Sequence, residues 1–232
     1  MRSTRRSLAV LTLLAILSAH APAQRQGPPI EAGPLRPPDL VEIVHLDPTL
    51  RLDIRYSTKN NFLGRRIYKQ ARAFLQRPAA EALARVSAAL KAQGFGLIVF
   101  DGYRPWSVTK IFWDSTPEHL REFVADPAKG SRHNRGCAVD LTMCDLKTGL
   151  PVKMPSEYDE FTERAHINYQ CATSEARRLR DTLRAAMEAE GFAIYEPEWW
   201  HYDYKDWRQY PILDVSFKEV ARRQRGEKRS AR

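Results

Sequence analysis

Cysteine is scarce: the 232 residues hold three, with no C-x-x-C pair, which argues against a thiolate-rich zinc site. No internal repeat is visible. After one short run near the N-terminus, no stretch is apolar and long enough to span a bilayer, so no stable membrane insertion is expected of the mature chain. A basic groove is missing too. The formal charge is +9, but Arg2, Arg5 and Arg6 supply three of those charges and residues 218–232 a net five, which leaves a nearly neutral body. The positive total therefore predicts no nucleic-acid partner, and the basic tail reads first as a solvated segment.

What is present begins with an export signal. The basic start is followed by an apolar run, Leu8 to Leu17, and by Ala21-Pro22-Ala23, a small-x-small cleavage pattern. This order predicts a secretory signal peptide over residues 1–23 and a periplasmic or extracellular mature protein. Thr4-Arg5-Arg6-Ser7-Leu8 loosely matches a twin-arginine signal as well. Residues 24–39, rich in Pro with Gln and Gly, read as a flexible leader. Residues 40–214 form one domain, for which a hydrophobic fraction of 43% supplies a core. Residues 215–232 form a basic tail.

Within the domain, alternation predicts a strand over Leu50 to Ser57 and a buried strand over Phe95 to Phe100. Helical spacing predicts a helix over Pro78 to Gln93, stopped by Gly94, and another over Ser174 to Glu190, capped by Ser174 and stopped by Gly191. Pro105 to Trp113 and Pro117 to Val124 read as short helices opened by proline. Ala138 to Met143 reads as a strand, with Asp145 to Gly149 turning it into a hairpin. Phe192 to Tyr195 and Trp200 to Tyr204 read as two more strands. Helices and strands do not alternate strictly, so the fold class expected is α+β, a mainly antiparallel sheet flanked by helices.

Two constellations carry chemistry. In Ser131-Arg132-His133-Asn134-Arg135-Gly136-Cys137-Ala138-Val139-Asp140, His133 ends a polar loop and Asp140 falls inside the following strand. In Glu198-Trp199-Trp200-His201, alternation puts His201 and Asp203 on one face of a strand, away from Trp200, Tyr202 and Tyr204. Two imidazoles and a carboxylate suit zinc with one position left open, and Glu198 stands near enough to serve as a base. Each residue also has a plainer reading: a solvated histidine, a hydrogen-bonding aspartate, core tryptophans, an exposed glutamate. With Cys137 inside the metal motif, any disulfide would join Cys144 to Cys171.

The pattern Ser131-x-His133-x-x-Gly136-x-Ala138-Val139-Asp140, with Glu198-x-Trp200-His201, resembles the D-alanyl-D-alanine dipeptidase family. The likeness extends to Leu52-Asp53-Ile54-Arg55-Tyr56 with Asn61-Phe62, Asp101-Gly102-Tyr103-Arg104-Pro105, Tyr158-Asp159-Glu160-Phe161, Arg164-Ala165-His166 and Ser174-Glu175-Ala176-Arg177-Arg178. It covers about residues 40 to 207. It implies the fold shared by bacterial D,D-peptidases and the Hedgehog signalling domain. It implies one zinc ion per chain on His133, Asp140 and His201, with Glu198 as general base and Arg104 facing the developing oxyanion. Ser131, Asp159 and Tyr56 would contact substrate, Asp159 by pairing with a free amino terminus. The sequence departs from the family at Cys137, where another small residue is common, and at Met154-Pro155-Ser156.

The activity expected is hydrolysis of D-alanyl-D-alanine or a related D-amino-acid dipeptide. The alternatives are a D,D- or L,D-carboxypeptidase acting on peptidoglycan fragments, and a zinc-bearing binding domain without catalysis. Glu198 and Arg104 speak against the last, since neither is needed merely to hold a metal.

Overall fold

The computed structural model describes residues 27–230, with side chains through residue 224, so the signal segment 1–23 lies outside the described residues. Seven strands and four α-helices follow in chain order, joined by 3-10 turns. They are β1 (Leu40–Glu42), β2 (Arg51–Leu52), β3 (Phe74–Gln76), α1 (Arg77–Lys91), β4 (Phe95–Asp101), α2 (Trp106–Ser115), β5 (Ala138–Asp145), α3 (Ser174–Ala189), β6 (Phe192–Tyr195), β7 (Glu198–Tyr204) and α4 (Phe217–Ser230). Five strands form one sheet in the order β2-β4-β5-β7-β6, and β1 pairs with β3 in a second, two-stranded sheet. Only the β2–β4 pair is parallel. The architecture is α+β with a mainly antiparallel sheet, as expected.

The helices form where the apolar spacing puts them. Pro78 opens α1, where its missing N–H costs no hydrogen bond. Leu83, Val86 and Leu90 then point from one face of α1 into the core, fully buried; burying a side chain of this kind stabilises by roughly 1.5–3 kcal/mol. That helix packs on α3, β3 and β4. The cap of α3 is Thr173 rather than Ser174: its hydroxyl accepts the Ala176 N–H at 3.1 Å.

Several expectations need correction. The strand read over Leu50 to Ser57 stops at Leu52, and a 3-10 turn over Arg55–Ser57 follows, which carries Tyr56 inward. Pro117 opens a 3-10 segment, Glu118–Phe123, in place of an α-helix. Asp145 does start a turn, its carboxylate accepting the Lys147 and Thr148 N–H groups at 2.8 Å, but only a single bridge, Cys144 to Pro151, follows it instead of a hairpin strand. The Cys144–Cys171 disulfide is not formed. Cys144 is buried on β5 and Cys171 is exposed ahead of α3, and all three cysteines are free thiols.

The two ends differ from their reading as well. Of the leader, residues 27–39 lie against the body: the Arg36 N–H donates to the Gln209 carbonyl at 2.7 Å, and Glu31 accepts the Ile212 N–H at 2.8 Å. The basic tail opens as α4, whose Phe217, Val220 and Ala221 are buried in the core. No helix among the described residues is long and apolar enough to cross a membrane.

Candidate metal centre

The site is built by two neighbouring strands and one tight turn. Asp140 on β5 and His201 on β7 are register partners across the ladder, so their side chains leave the same face side by side. The third group, His133, sits in a 3-10 turn, His133–Arg135, that runs into β5. Gly136 ends the turn at φ 68°, and its N–H donates to the His133 carbonyl at 3.0 Å. The left-handed conformation favours glycine, and a Cβ there would stand 2.4 Å from Leu40 Cδ2, which would have to move.

Three atoms converge. His201 Nδ1 lies 3.0 Å from Asp140 Oδ1, His133 Nε2 lies 3.3 Å from the same oxygen, and the two ring nitrogens are 3.2 Å apart. The outer ring nitrogens fix the tautomers. His133 Nδ1 faces the Gly102 carbonyl at 2.7 Å, which can only accept, so the proton is on Nδ1. His201 Nε2 likewise faces Asp203 Oδ1 at 3.0 Å. With each ring in that tautomer, three lone pairs point at one another, an arrangement that needs positive charge between them. Ligands about 2.0–2.1 Å from a tetrahedral ion lie about 3.3 Å apart, close to the spacing seen here. Burial alone would lower the His201 pKa, but Asp203 and Asp140 outweigh it and raise the pKa well above the usual value. Asp140, against the effect of burial, is held low by His133 and His201. The same carboxylates favour a cation in that position.

Around this group lies a small cavity of about 120 Å³ lined by Tyr56, Arg104, Ser131, His133, Asp140, Asp159, Glu198 and His201. Every site residue singled out from the sequence thus reaches one place. Glu198, the first residue of β7, has Oε2 3.8 Å from His201 Nδ1. Burial, and then Asp140, push its carboxyl up to about 7 against the pull of His201, a value suited to moving protons near neutrality. Ser131 Oγ accepts the His133 N–H at 3.2 Å.

Arg104 is 8% exposed and is locked in place. Its Nε and Nη2 each lie 2.9 Å from Asp101 Oδ2, Nη2 is 3.7 Å from Asp140 Oδ2, and its guanidinium lies over the rings of Phe112 and Tyr56 at 4.6 and 5.4 Å. Arg104 thus makes a buried salt bridge and also lines the cavity.

Asp159 is unusual in two ways. It is the one non-glycine residue with positive φ, 60°, among the described residues, a conformation that strains an L residue. One carboxylate oxygen accepts the Tyr56 hydroxyl at 3.0 Å, while Oδ2 is buried with no partner among the described residues. Burial first, and Asp140 second, raise its pKa well above the ordinary carboxylate range despite the Tyr56 bond. Tyr158, whose hydroxyl donates to Asp140 Oδ2 at 3.0 Å, links this group to the metal ligands.

Three supporting residues escaped the sequence reading. Asp101 holds Arg104. Asn134, fully buried, donates to the Arg104 carbonyl at 2.9 Å and to Thr109 Oγ1 at 2.8 Å and accepts the Ser131 N–H at 2.8 Å, tying the arginine turn to the metal turn. Asp203 orients His201; its place two residues on, along the same strand face, was the available signal. Cys137 is fully buried with its thiol pushed up to about 12 by burial, so it is an inert packing residue.

The family profile described as D-ala-D-ala dipeptidase, of peptidase family M15, matches residues 36–222. The D-alanyl-D-alanine dipeptidase of Escherichia coli (strain K12) is 34% identical over 179 residues, covering 77% of this chain and 91% of the relative. The D-alanyl-D-alanine dipeptidase of Enterococcus faecium is 35% identical over 185 residues, covering 72% and 90%. Among solved structures, the LdcB LD-carboxypeptidase aligns with 83% of this chain and 75% of its own, at 21% identity and a TM-score of 0.44, a similarity too distant to bear on activity.

Proposed function

Because the chain belongs to the D-alanyl-D-alanine dipeptidase family of peptidases, we propose that it is an exported zinc enzyme hydrolysing D-alanyl-D-alanine or a related D-amino-acid dipeptide. One observation carries the reading. A single cavity joins a three-acceptor cation site, His133, Asp140 and His201, to a carboxylate, Asp159, whose buried Oδ2 has no partner among the described residues.

Zinc suits two imidazole nitrogens and one carboxylate oxygen, and when bound it polarises the scissile carbonyl and lowers the pKa of a coordinated water to about 7. The remaining work falls to the chain. Glu198 takes the proton from the attacking water and returns it to the leaving amine nitrogen. Arg104, fixed by Asp101, offers guanidinium N–H groups to the carbonyl oxygen as negative charge builds, at no reorganisation cost. Tyr56 keeps its proton because burial raises its pKa well above 10.0, so it remains a donor that holds Asp159 in position. The free Asp159 oxygen receives the substrate ammonium. Ser131 lines the same wall and contacts the peptide.

This arrangement selects dipeptides. A blocked or extended amino terminus would leave Asp159 Oδ2 without an ammonium to pair with, and a buried polar group left unpaired is costly. A cavity of about 120 Å³ also suits a small ligand. Export, inferred from the signal at residues 1–23, would give the enzyme dipeptides released from cell-wall material.

The test is a substrate panel on zinc-loaded mature protein. Free D-alanine should appear from D-alanyl-D-alanine, and N-acetyl-D-alanyl-D-alanine and a stem pentapeptide should be poor substrates. Release of D-alanine from the pentapeptide but not from the dipeptide would overturn the dipeptidase reading in favour of a carboxypeptidase.

A further inference from the structure

A zwitterionic dipeptide brings a carboxylate as well as an ammonium, and the groups above account only for the ammonium. Two cationic side chains line the cavity, Arg104 and Arg132. Arg104 is committed to Asp101 and Asp140. Arg132 is not committed in the same way. Its Nε lies 3.4 Å from Asp203 Oδ2 and its guanidinium lies 4.7 Å from the Trp207 ring centroid, while neither terminal nitrogen has a hydrogen-bond partner among the described residues.

Its position is complementary to that of Asp159. Asp159 connects through Tyr56 and Tyr158 to Asp140 Oδ2, and Arg132 connects through Asp203 to His201 Nε2. The two charges therefore connect to the metal group through different ligands, and both line the same cavity. A guanidinium stacked on an indole presents its outer N–H pair in a fixed plane, which matches a carboxylate by two parallel hydrogen bonds. Glu122 and Glu198, which also line the cavity, would repel a carboxylate.

We propose that Arg132 is the specificity-determining residue that reads the free C-terminal carboxylate of the substrate. The inference rests on the dipeptidase reading and deepens it: Asp159 checks one end of the substrate and Arg132 the other.

The experiment compares D-alanyl-D-alanine with its C-terminal amide on zinc-loaded full-length mature protein, wild type, Arg132→Met and Arg132→Lys, with zinc per chain measured for each. A charged hydrogen-bonded contact corresponds to a preference of roughly 10- to 100-fold. Wild type should favour the free acid over the amide by that factor in kcat/KM. Arg132→Met should bring the ratio close to one, with the loss lying in KM, and Arg132→Lys should retain only part of the preference. An arginine with a purely structural role would instead lower zinc content and slow both substrates alike, leaving the ratio unchanged. Equal use of acid and amide by wild type overturns the inference, as does a preference that survives in Arg132→Met or, where that variant fails to fold, is undiminished in Arg132→Lys. Absence of D-alanine from either substrate with zinc-loaded wild type is a different result, and it removes the dipeptidase reading and this inference together.

Discussion

His133 Nε2 and His201 Nδ1 face each other at 3.2 Å, because the other nitrogen of each ring is engaged by the Gly102 carbonyl and the Asp203 carboxylate. Two acceptors held that close, with the Asp140 carboxylate between them, are stable only around a positive charge. Metal binding should therefore contribute directly to folding stability. At a zinc concentration 100-fold above the dissociation constant the gain is about 2.7 kcal/mol, which corresponds to a rise of roughly 5–10 °C in melting midpoint for a chain of this size. Chelator treatment should abolish dipeptide hydrolysis and zinc should restore it. Differential scanning calorimetry of the chelated protein, with and without zinc, checks this. The same rise in His133→Ala would show that the stabilising ion binds elsewhere.

Glu198 borders the metal group without belonging to the three converging atoms. Glu198→Gln should keep zinc near one per chain and lose roughly 10²- to 10⁴-fold in kcat, the usual contribution of a general base. Metal analysis and steady-state kinetics on the same preparation separate the two effects. Turnover within a few-fold of wild type would assign the proton transfer to another group.

The sequence made the long regular elements and the site residues legible for the same reason. Helix α1 repeats its apolar residues at helical spacing, and β7 alternates Trp200, Tyr202 and Tyr204 against His201 and Asp203, so local pattern and final environment agree. Strands β1 and β3 left no such trace. Each has three residues, all buried, and each pairs with a segment more than thirty positions away, so alternation is too short to register. Asn134 was invisible as a site residue because it ties the arginine turn to the metal turn across the fold, a relation that no spacing encodes, and Asp101, only three residues before Arg104, reads from the sequence as part of a turn. The Cys144–Cys171 expectation failed because counting cysteines says nothing of burial.

Away from the site, Asp47 offers a stability test with a defined sign. Burial would raise its pKa, but the Ser87 hydroxyl, then the Thr49 hydroxyl and N–H, at 2.5 and 3.0 Å, and Lys91 Nζ, at 3.1 Å, lower it from 3.8 to about 2. A depressed folded pKa stabilises the fold above the unfolded value, and the benefit fades as pH falls toward the folded value. Asp47→Ala should cost about 2 kcal/mol at pH 7, and the difference from wild type should shrink between about pH 4 and pH 2. Urea denaturation across that range reads it directly. A penalty that does not change with pH would mean that Asp47 acts through packing and not through its charge.

The leader offers the sharpest contrast between composition and structure. Its Pro-rich sequence reads as a flexible tether, yet Glu31 pairs with Arg135, accepts the Ile212 N–H and so joins the leader to the turn that carries His133. Arg135 is 8% exposed and its other contacts are the Tyr210 carbonyl and the Trp207 ring, neither of which cancels its charge. Removing one member of a buried ion pair strands the other, at a cost of about 3 kcal/mol or more. Glu31→Ala should therefore destabilise the protein by that order although it precedes the domain read from the sequence over residues 40–214, and truncation to residue 36 should do the same. The double variant Glu31→Ala, Arg135→Met should recover about 1 kcal/mol or more of the loss, since the stranded cation is then gone. A single variant within about 0.5 kcal/mol of wild type by urea titration, the range usual for surface substitutions, would make the leader a tether after all and leave the charge of Arg135 to be balanced by solvent.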